Sequence, residues 1–260
     1  HDVVVVTAAS SNHAGPLCYM LESLRRLDAR VECYDLGLTA AEVRSLPRWA
    51  GLSYHKFDYA AHPPHLDVNV NAGEYAWKPV IVAEVVDRLR AAGDAADVLW
   101  ADAGSYFHEL APLASRVRAS GGLWVRQSSG TMRQWTHPAM FARLGAAAAD
   151  YADRRNADAT LIGFATAGAG AVAGQRLYDA VIAPWRACAL DRQCIAPAGS
   201  SRKNHRQDQA VLSYLVHKGG YAFADETHTS LGVRCKCDRW FYRYIGFHLP
   251  PPMYARCCLY

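Results

Sequence analysis

Two carboxylates stand out by where they fall. Asp102 follows the apolar stretch Asp97-Val98-Leu99-Trp100-Ala101 and precedes Ala103-Gly104-Ser105. An acid at the carboxyl end of a buried strand, with small residues beside it, is where open α/β sheets put metal and phosphate chemistry. Ala103 and Gly104 leave room for a hydrated divalent cation and a diphosphate. One carboxylate seldom holds such an ion alone, so a histidine partner is expected: His228 in Glu226-Thr227-His228-Thr229, in preference to His248 in Gly246-Phe247-His248. Asp208 opens a helix directly after the basic run Arg202-Lys203-Asn204-His205-Arg206. An acid in a first helical turn is favourable to the helix dipole without any chemistry. Cations beside it would also lower its pKa and keep it ionised as a base, nucleophile or electrostatic stabiliser, with Gln209 next to it. Lys203 and Arg206 are the expected phosphate contacts, because a departing diphosphate needs its developing charge neutralised.

A second group of residues has the character of a binding surface. Thr7, Ala8, Asn12 and His13 lie in the small, polar stretch after the first strand and are expected to cradle a nucleotide. Trp77 and Lys78, just before a helix and after Asn71-Ala72-Gly73-Glu74-Tyr75, are expected to orient the donor through an aromatic face and a charged hydrogen bond. No Gly-x-Gly-x-x-Gly spacing and no Walker lysine pattern occurs, which disfavours a dinucleotide cofactor.

The elements that must position these residues follow from periodicity. Val3 to Val6 reads as a strand, Leu17 to Leu27 as a helix with leucines at helical spacing, and Arg30 to Tyr34 as a second strand. Thr39 caps a short helix that Pro47 stops. The His-, Pro- and Asp-rich region from Tyr54 to Asn71 has no clear period. Further helices are expected from Pro79 to about Ala91, Leu110 to Val117, Pro138 to Ala149, Gln175 to Ala189 and Gln207 to Val216. Further strands are expected at Val98 to Ala101, Leu123 to Val125, Thr160 to Phe164 and, as an edge, Tyr221 to Ala224; Ala165 to Gly174 reads as a loop. Strands separated by helices predict one α/β domain, with a Rossmann-like, mostly parallel central sheet flanked by helices. Residues 1–105 would form its nucleotide-binding half and 106–260 its acceptor-side and catalytic half.

Composition narrows the classes. The chain has 260 residues, 51% hydrophobic and 20% charged, as in an ordinary folded domain. Its net charge of +4 has one short basic run, too little for a nucleic-acid groove. The eight cysteines fall in loops and near the C-terminus, which favours disulfides and a secretory-pathway lumen. Cys188 with Cys194 is the preferred local pair; Cys18 with Cys33 requires the first helix and second strand to bring them together. Cys235, Cys237, Cys257 and Cys258 lack structural-zinc spacing. No signal peptide and no membrane-length apolar run is present, so any targeting segment or membrane anchor lies outside this sequence.

Val3 to Leu38, Asn71 to Pro79, Asp97 to Ser105 and Cys188 to Leu212 together resemble a nucleotide-sugar glycosyltransferase of the A-type fold, and are similar to a little-characterised eukaryotic secretory-pathway family. The resemblance implies that Asp102 helps hold manganese or magnesium and the donor diphosphate. It also implies that Asp208-Gln209 addresses the sugar and that Asn156 lies toward the acceptor. Gly104 stands where the family's motif has a second acid. The implied reaction moves a sugar from a nucleoside diphosphate donor to a hydroxyl of a glycan or glycoprotein, with retention, in the Golgi lumen or outside the cell. Two other classes compete: a catalytically inactive glycan- or nucleotide-binding module, motivated by Gly104, and a phosphotransferase or nucleotidyltransferase.

Overall fold

The computed structural model describes residues 3–166 and 170–234. Its centre is β1 (Val3–Ala9), whose seven residues are all buried. A run of valines without alternation suits a strand covered on both faces. Successive side chains point to opposite faces. Val4 and Val6 therefore enter one core with Trp100, Ile162 and Trp185, while Val3 and Val5 enter the other with Leu17, Leu21 and Leu99.

The chain leaves β1 through α1 (Ala14–Arg26) to β2 (Arg30–Asp35), then α2 (Ala40–Ser45) and β3 (Leu52–Lys56). Thr39 closes a capping box with Glu42 at the start of α2, as its sequence predicts. Helix α3 (Trp77–Ala91) carries the chain back across the sheet to β4 (Asp97–Ala101), on the other side of β1. After β5 (Tyr106–Phe107), α4 (Ala111–Ala119) leads to β6 (Leu123–Thr131). Three short helices follow, α5 (Met132–Trp135), α6 (Pro138–Arg143) and α7 (Ala148–Tyr151), before β7 (Arg155–Phe164). Beyond it lie α8 (Gly170–Leu177), a π-helical turn (Tyr178–Ile182), α9 (Ala183–Leu190), α10 (Arg192–Ile195), α11 (Gln207–Lys218) and β8 (Val233–Arg234).

The six-stranded sheet has the order β3-β2-β1-β4-β7-β6. The pairs β1/β2, β2/β3 and β1/β4 are parallel; β4/β7 and β7/β6 are antiparallel. The sheet is thus mostly parallel with helices on its faces. Because β2 and β4 lie on opposite sides of β1, the carboxyl ends of β1 and β4 flank a topological switch point, where open sheets bind ligands.

Several expectations change. Strand β3 lies inside the stretch that shows no period; it is an edge strand of partly exposed residues, so no apolar alternation marks it. The helix expected from Pro138 to Ala149 is two, because Gly145 adopts φ 69° just after α6. Alanine propensity alone does not register that stop. The loop expected up to Gly174 already contains the first turns of α8. Tyr221 to Ala224 is not a strand, and Ala224 makes a single bridge to Arg126. Cys188 and Cys194 form the expected disulfide, joining α9 to α10. Cys18 is disulfide-bonded, but not to Cys33, which is free and buried. His248, the aromatic and proline-rich tail and the four C-terminal cysteines lie outside the described residues.

Candidate functional site

The site is assembled at the start of α3. The five residues Asn71–Tyr75 all have positive φ, from 49° to 62°, and form a left-handed turn. Four of them carry a Cβ, and each such residue costs roughly 1–2 kcal/mol in this conformation. The surroundings impose it. Glu74 is buried and accepts from Asn71 Nδ2 at 2.7 Å and from Gln207 Nε2 at 3.2 Å, and Ala72 O accepts from Trp77 Nε1 at 3.1 Å. A Cβ on Gly73 would run into the Leu66 carbonyl. The turn therefore fixes where Tyr75, Trp77 and Lys78 point.

Lys78 is buried in the first turn of α3, where the helix dipole is unfavourable to a cation. Three oxygens compensate. Its ammonium lies 3.0 Å from Asp102 Oδ1, 3.0 Å from Asp208 Oδ2 and 3.0 Å from the carbonyl of Ala159. Trp100 Nε1 also donates to Asp102 Oδ1, at 2.8 Å, and the Trp100 ring faces the ammonium at 5.4 Å. Burial acts to strip the proton from Lys78, but the charges of Asp102 and Asp208 outweigh it and hold its pKa above the ordinary lysine range. Burial raises the pKa of Asp208, with Lys78 pulling the other way. The expected lowering of the Asp208 pKa by the basic loop is thus reversed. Its cation is Lys78, and desolvation outweighs it.

Two cavities meet here. One, of ≈ 310 Å³, lies at the switch point against Ala8, Ala9, Asn12, His13, Leu36, Trp77 and Ala103. The other, of ≈ 260 Å³, is lined by Lys78, Arg202, His205, Arg206, Asp208 and Gln209. Tyr75, Asp102 and Thr160 belong to the walls of both.

The structure brings Asp102, Asp208, Gln209, Lys78, Arg206, Trp77, Ala8, Asn12, His13 and Ala103 to these cavities. It places the others elsewhere. Thr7 is wholly buried within β1, Gly104 lines neither cavity, and Lys203 is exposed while Arg202 takes the lining position. His205 is an uncharged bracket rather than a cation: Nε2 donates to Ile195 O at 2.9 Å and Nδ1 accepts from His137 N at 3.2 Å. Burial lowers its pKa to about 4. Asn156 is buried in β7 and donates to Ser129 O. Tyr75, Thr160 and Glu74 were not singled out by sequence. A run of left-handed residues leaves no periodic trace, and Gly73 was its one visible mark.

Of the expected metal pair, Asp102 lines both cavities and His228 lines neither. His228 Nε2 lies 3.7 Å from Asp158 Oδ2, and Asp102 Oδ1 is engaged by Lys78 and Trp100. Among the described residues no group of three or more His, Cys, Asp or Glu could hold a metal ion.

Residues 1–83 match the family described as "Protein of unknown function (DUF1647)". No curated protein matches the chain. Among solved structures, an active-site mutant of LgtC is similar over 97% of this chain and 99% of its own, with a TM-score of 0.50 and 14% identity. The fold is that of the A-type glycosyltransferases. The galactosyltransferase LgtC with donor and acceptor sugar analogues gives a TM-score of 0.49 at 17% identity, covering 85% of this chain and 73% of that one. Mouse xyloside xylosyltransferase 1 gives 0.44 at 10% identity, covering 88% and 86%. In this A-type fold, Asp102 and Asp208 come from opposite halves of the chain and meet through Lys78.

Proposed function

We propose that this protein is a glycosyltransferase that moves a sugar from a nucleoside diphosphate donor to a hydroxyl of a glycan or glycoprotein. The observation that carries the reading is Lys78, held between Asp102 and Asp208 at the junction of two cavities in an A-type fold. The larger cavity, with Leu36 and Trp77 in its wall, suits a nucleoside, and the charged one suits the sugar and the attacking hydroxyl.

In the transfer, the bond from the anomeric carbon to the diphosphate oxygen breaks and its electrons leave with the diphosphate. The acceptor oxygen bonds to that carbon, and its proton passes to the departing phosphate or to Asp208. Asp208, with Gln209 beside it, would stabilise the positive charge that develops on the sugar, which accords with retention. The Lys78 ammonium donates to Ala159 O and lies 3.0 Å from a carboxylate oxygen of both Asp102 and Asp208, so in this reading Lys78 acts by fixing both carboxylates rather than by contacting the donor directly. The A-type fold implies a manganese or magnesium ion; Asp102 is the described residue that would hold it, and no step is routed through it. The disulfide accords with a lumenal, Golgi or extracellular site, and no helix among the described residues is long and apolar enough to cross a membrane.

A panel of nucleotide sugars with glycan acceptors, assayed with and without manganese by product mass, tests the reading. Nucleoside diphosphate release with a matching mass gain on the acceptor is expected. Binding without turnover on every donor would favour the recognition-module alternative, which Gly104 motivates, and consumption of a triphosphate would favour a phosphotransferase or nucleotidyltransferase. Asp208→Asn is expected to lower turnover by about 100-fold with nucleotide affinity retained. Asp102→Asn is expected to weaken donor binding. Calorimetry and initial rates read the two effects separately.

A further inference from the structure

We infer that the cavity beside Asp208 receives an anionic group of the acceptor, a carboxylate, sulfate or phosphate ester borne on the glycan and held by Arg202 and Arg206. The inference rests on the glycosyl-transfer reading for the word acceptor, and on the following geometry for the anion.

The two arginines project from a fixed frame. Ser201 N donates to Asn204 Oδ1 at 2.7 Å, Asn204 Nδ2 donates to Gly199 O at 3.1 Å, and Arg206 N donates to Trp135 O at 3.0 Å. Each guanidinium lies over an aromatic ring, Arg202 at 4.8 Å from the Tyr75 centroid and Arg206 at 4.1 Å from that of Trp135. A ring face steadies a guanidinium without consuming its N–H donors, which lie in its plane. Several arginines of this protein are held by carboxylates, as in Arg30 with Asp94 and Arg143 with Asp191. Among the described residues neither Arg202 nor Arg206 has such a partner. The nearby acids are already engaged: Asp102 and Asp208 by Lys78, and Glu74 by two amides. The cavity therefore presents two forks, each suited to a planar or tetrahedral oxyanion.

The donor diphosphate is the competing anion, and position argues against it. Both arginines line the cavity of Asp208 and neither lines that of the nucleoside. A diphosphate joined to a nucleoside in the larger cavity meets the shared wall at Asp102 first, and the arginines belong to the chamber beyond it.

Calorimetry on the full chain, with a panel of nucleoside diphosphates and with lactose, 3′-sulfated lactose and a glucuronate-terminated disaccharide, tests the assignment. The charged saccharides are expected to bind at least about tenfold more tightly than lactose, and Arg202→Gln and Arg206→Gln are each expected to erase most of that advantage while nucleoside diphosphate affinity and the thermal transition stay unchanged. Equal binding of charged and neutral saccharides, or no binding of any of them, overturns the proposal. So does a loss of nucleoside diphosphate affinity in either variant, which would assign the arginines to the donor. A gain for uronate-bearing over neutral nucleotide sugars that either variant abolishes would move the anion to the transferred sugar, and overturns it as well. Charge-selective saccharide binding without turnover on any donor would support the anion site while sinking the transferase reading. Transfer without charge selectivity would do the reverse.

Discussion

At the scale of single residues, the site depends on one buried ammonium. Removing it by Lys78→Met leaves Asp208 buried without its cation, and breaking a buried pair in this way costs about 3–5 kcal/mol. The double variant Lys78→Met with Asp208→Leu is expected to recover much of that loss, because an apolar pair replaces an ionic one. Urea unfolding of the two variants provides the comparison, and equal stabilities would refute the pairing. His205 gives a pH prediction. Its folded pKa of about 4 lies below the ordinary 6.5, so above pH 6.5 it costs nothing. As the pH falls from 6.5 to 4, the unfolded chain takes up a proton that the folded one refuses, and stability drops by up to about 3 kcal/mol. His205→Gln is expected to flatten that part of the pH–stability curve. An unchanged slope would show that the imidazole is not held neutral. The sequence displayed both acids and the basic run, but it could not show which cation meets which acid: Lys78 and Asp208 are 130 positions apart in the chain, and only folding of the sheet decides their pairing.

At the scale of elements, the left-handed turn Asn71–Tyr75 sets the aim of α3. Ala72 at φ 56° carries steric strain that glycine would not, so Ala72→Gly is expected to stabilise the protein by about 0.5–1 kcal/mol after the entropy of the unfolded glycine is counted. Gly73→Ala, which drives a methyl into the Leu66 carbonyl, is expected to destabilise it by about 2 kcal/mol. Thermal denaturation of both variants measures the difference. If the signs are the same, the turn does not hold this conformation in solution. Elements with strong local cues were legible: the valine run of β1, the Thr39 cap, the leucine spacing of α1 and Asp208 at the head of α11. Those set by tertiary context were not. Edge strand β3 has no buried face to impose alternation, and the split between α6 and α7 depends on one glycine conformation.

At the scale of the whole molecule, the parallel core was readable because strands and helices alternate through the first hundred residues. The antiparallel half was less so, since β6 and β7 extend well beyond their apolar centres into partly exposed residues with register shifts. Because β1, α3, β4, β7 and α11 all contribute to the site, ligand binding is coupled to the stability of the entire fold. A nucleoside diphosphate at about 100 times its Kd is expected to raise the unfolding free energy by about 2.7 kcal/mol, as a shift of one cooperative transition. A separate early transition that ignores the ligand would contradict that coupling. Tyr75, Asp102 and Thr160 line both cavities, so the two chambers adjoin. A single tethered compound, with a nucleoside at one end and a charged saccharide at the other, would have its second end delivered at millimolar effective concentration once the first is seated. For the ligands proposed above, the adjoining chambers would suit a bivalent inhibitor in which linker length rather than added contacts governs potency.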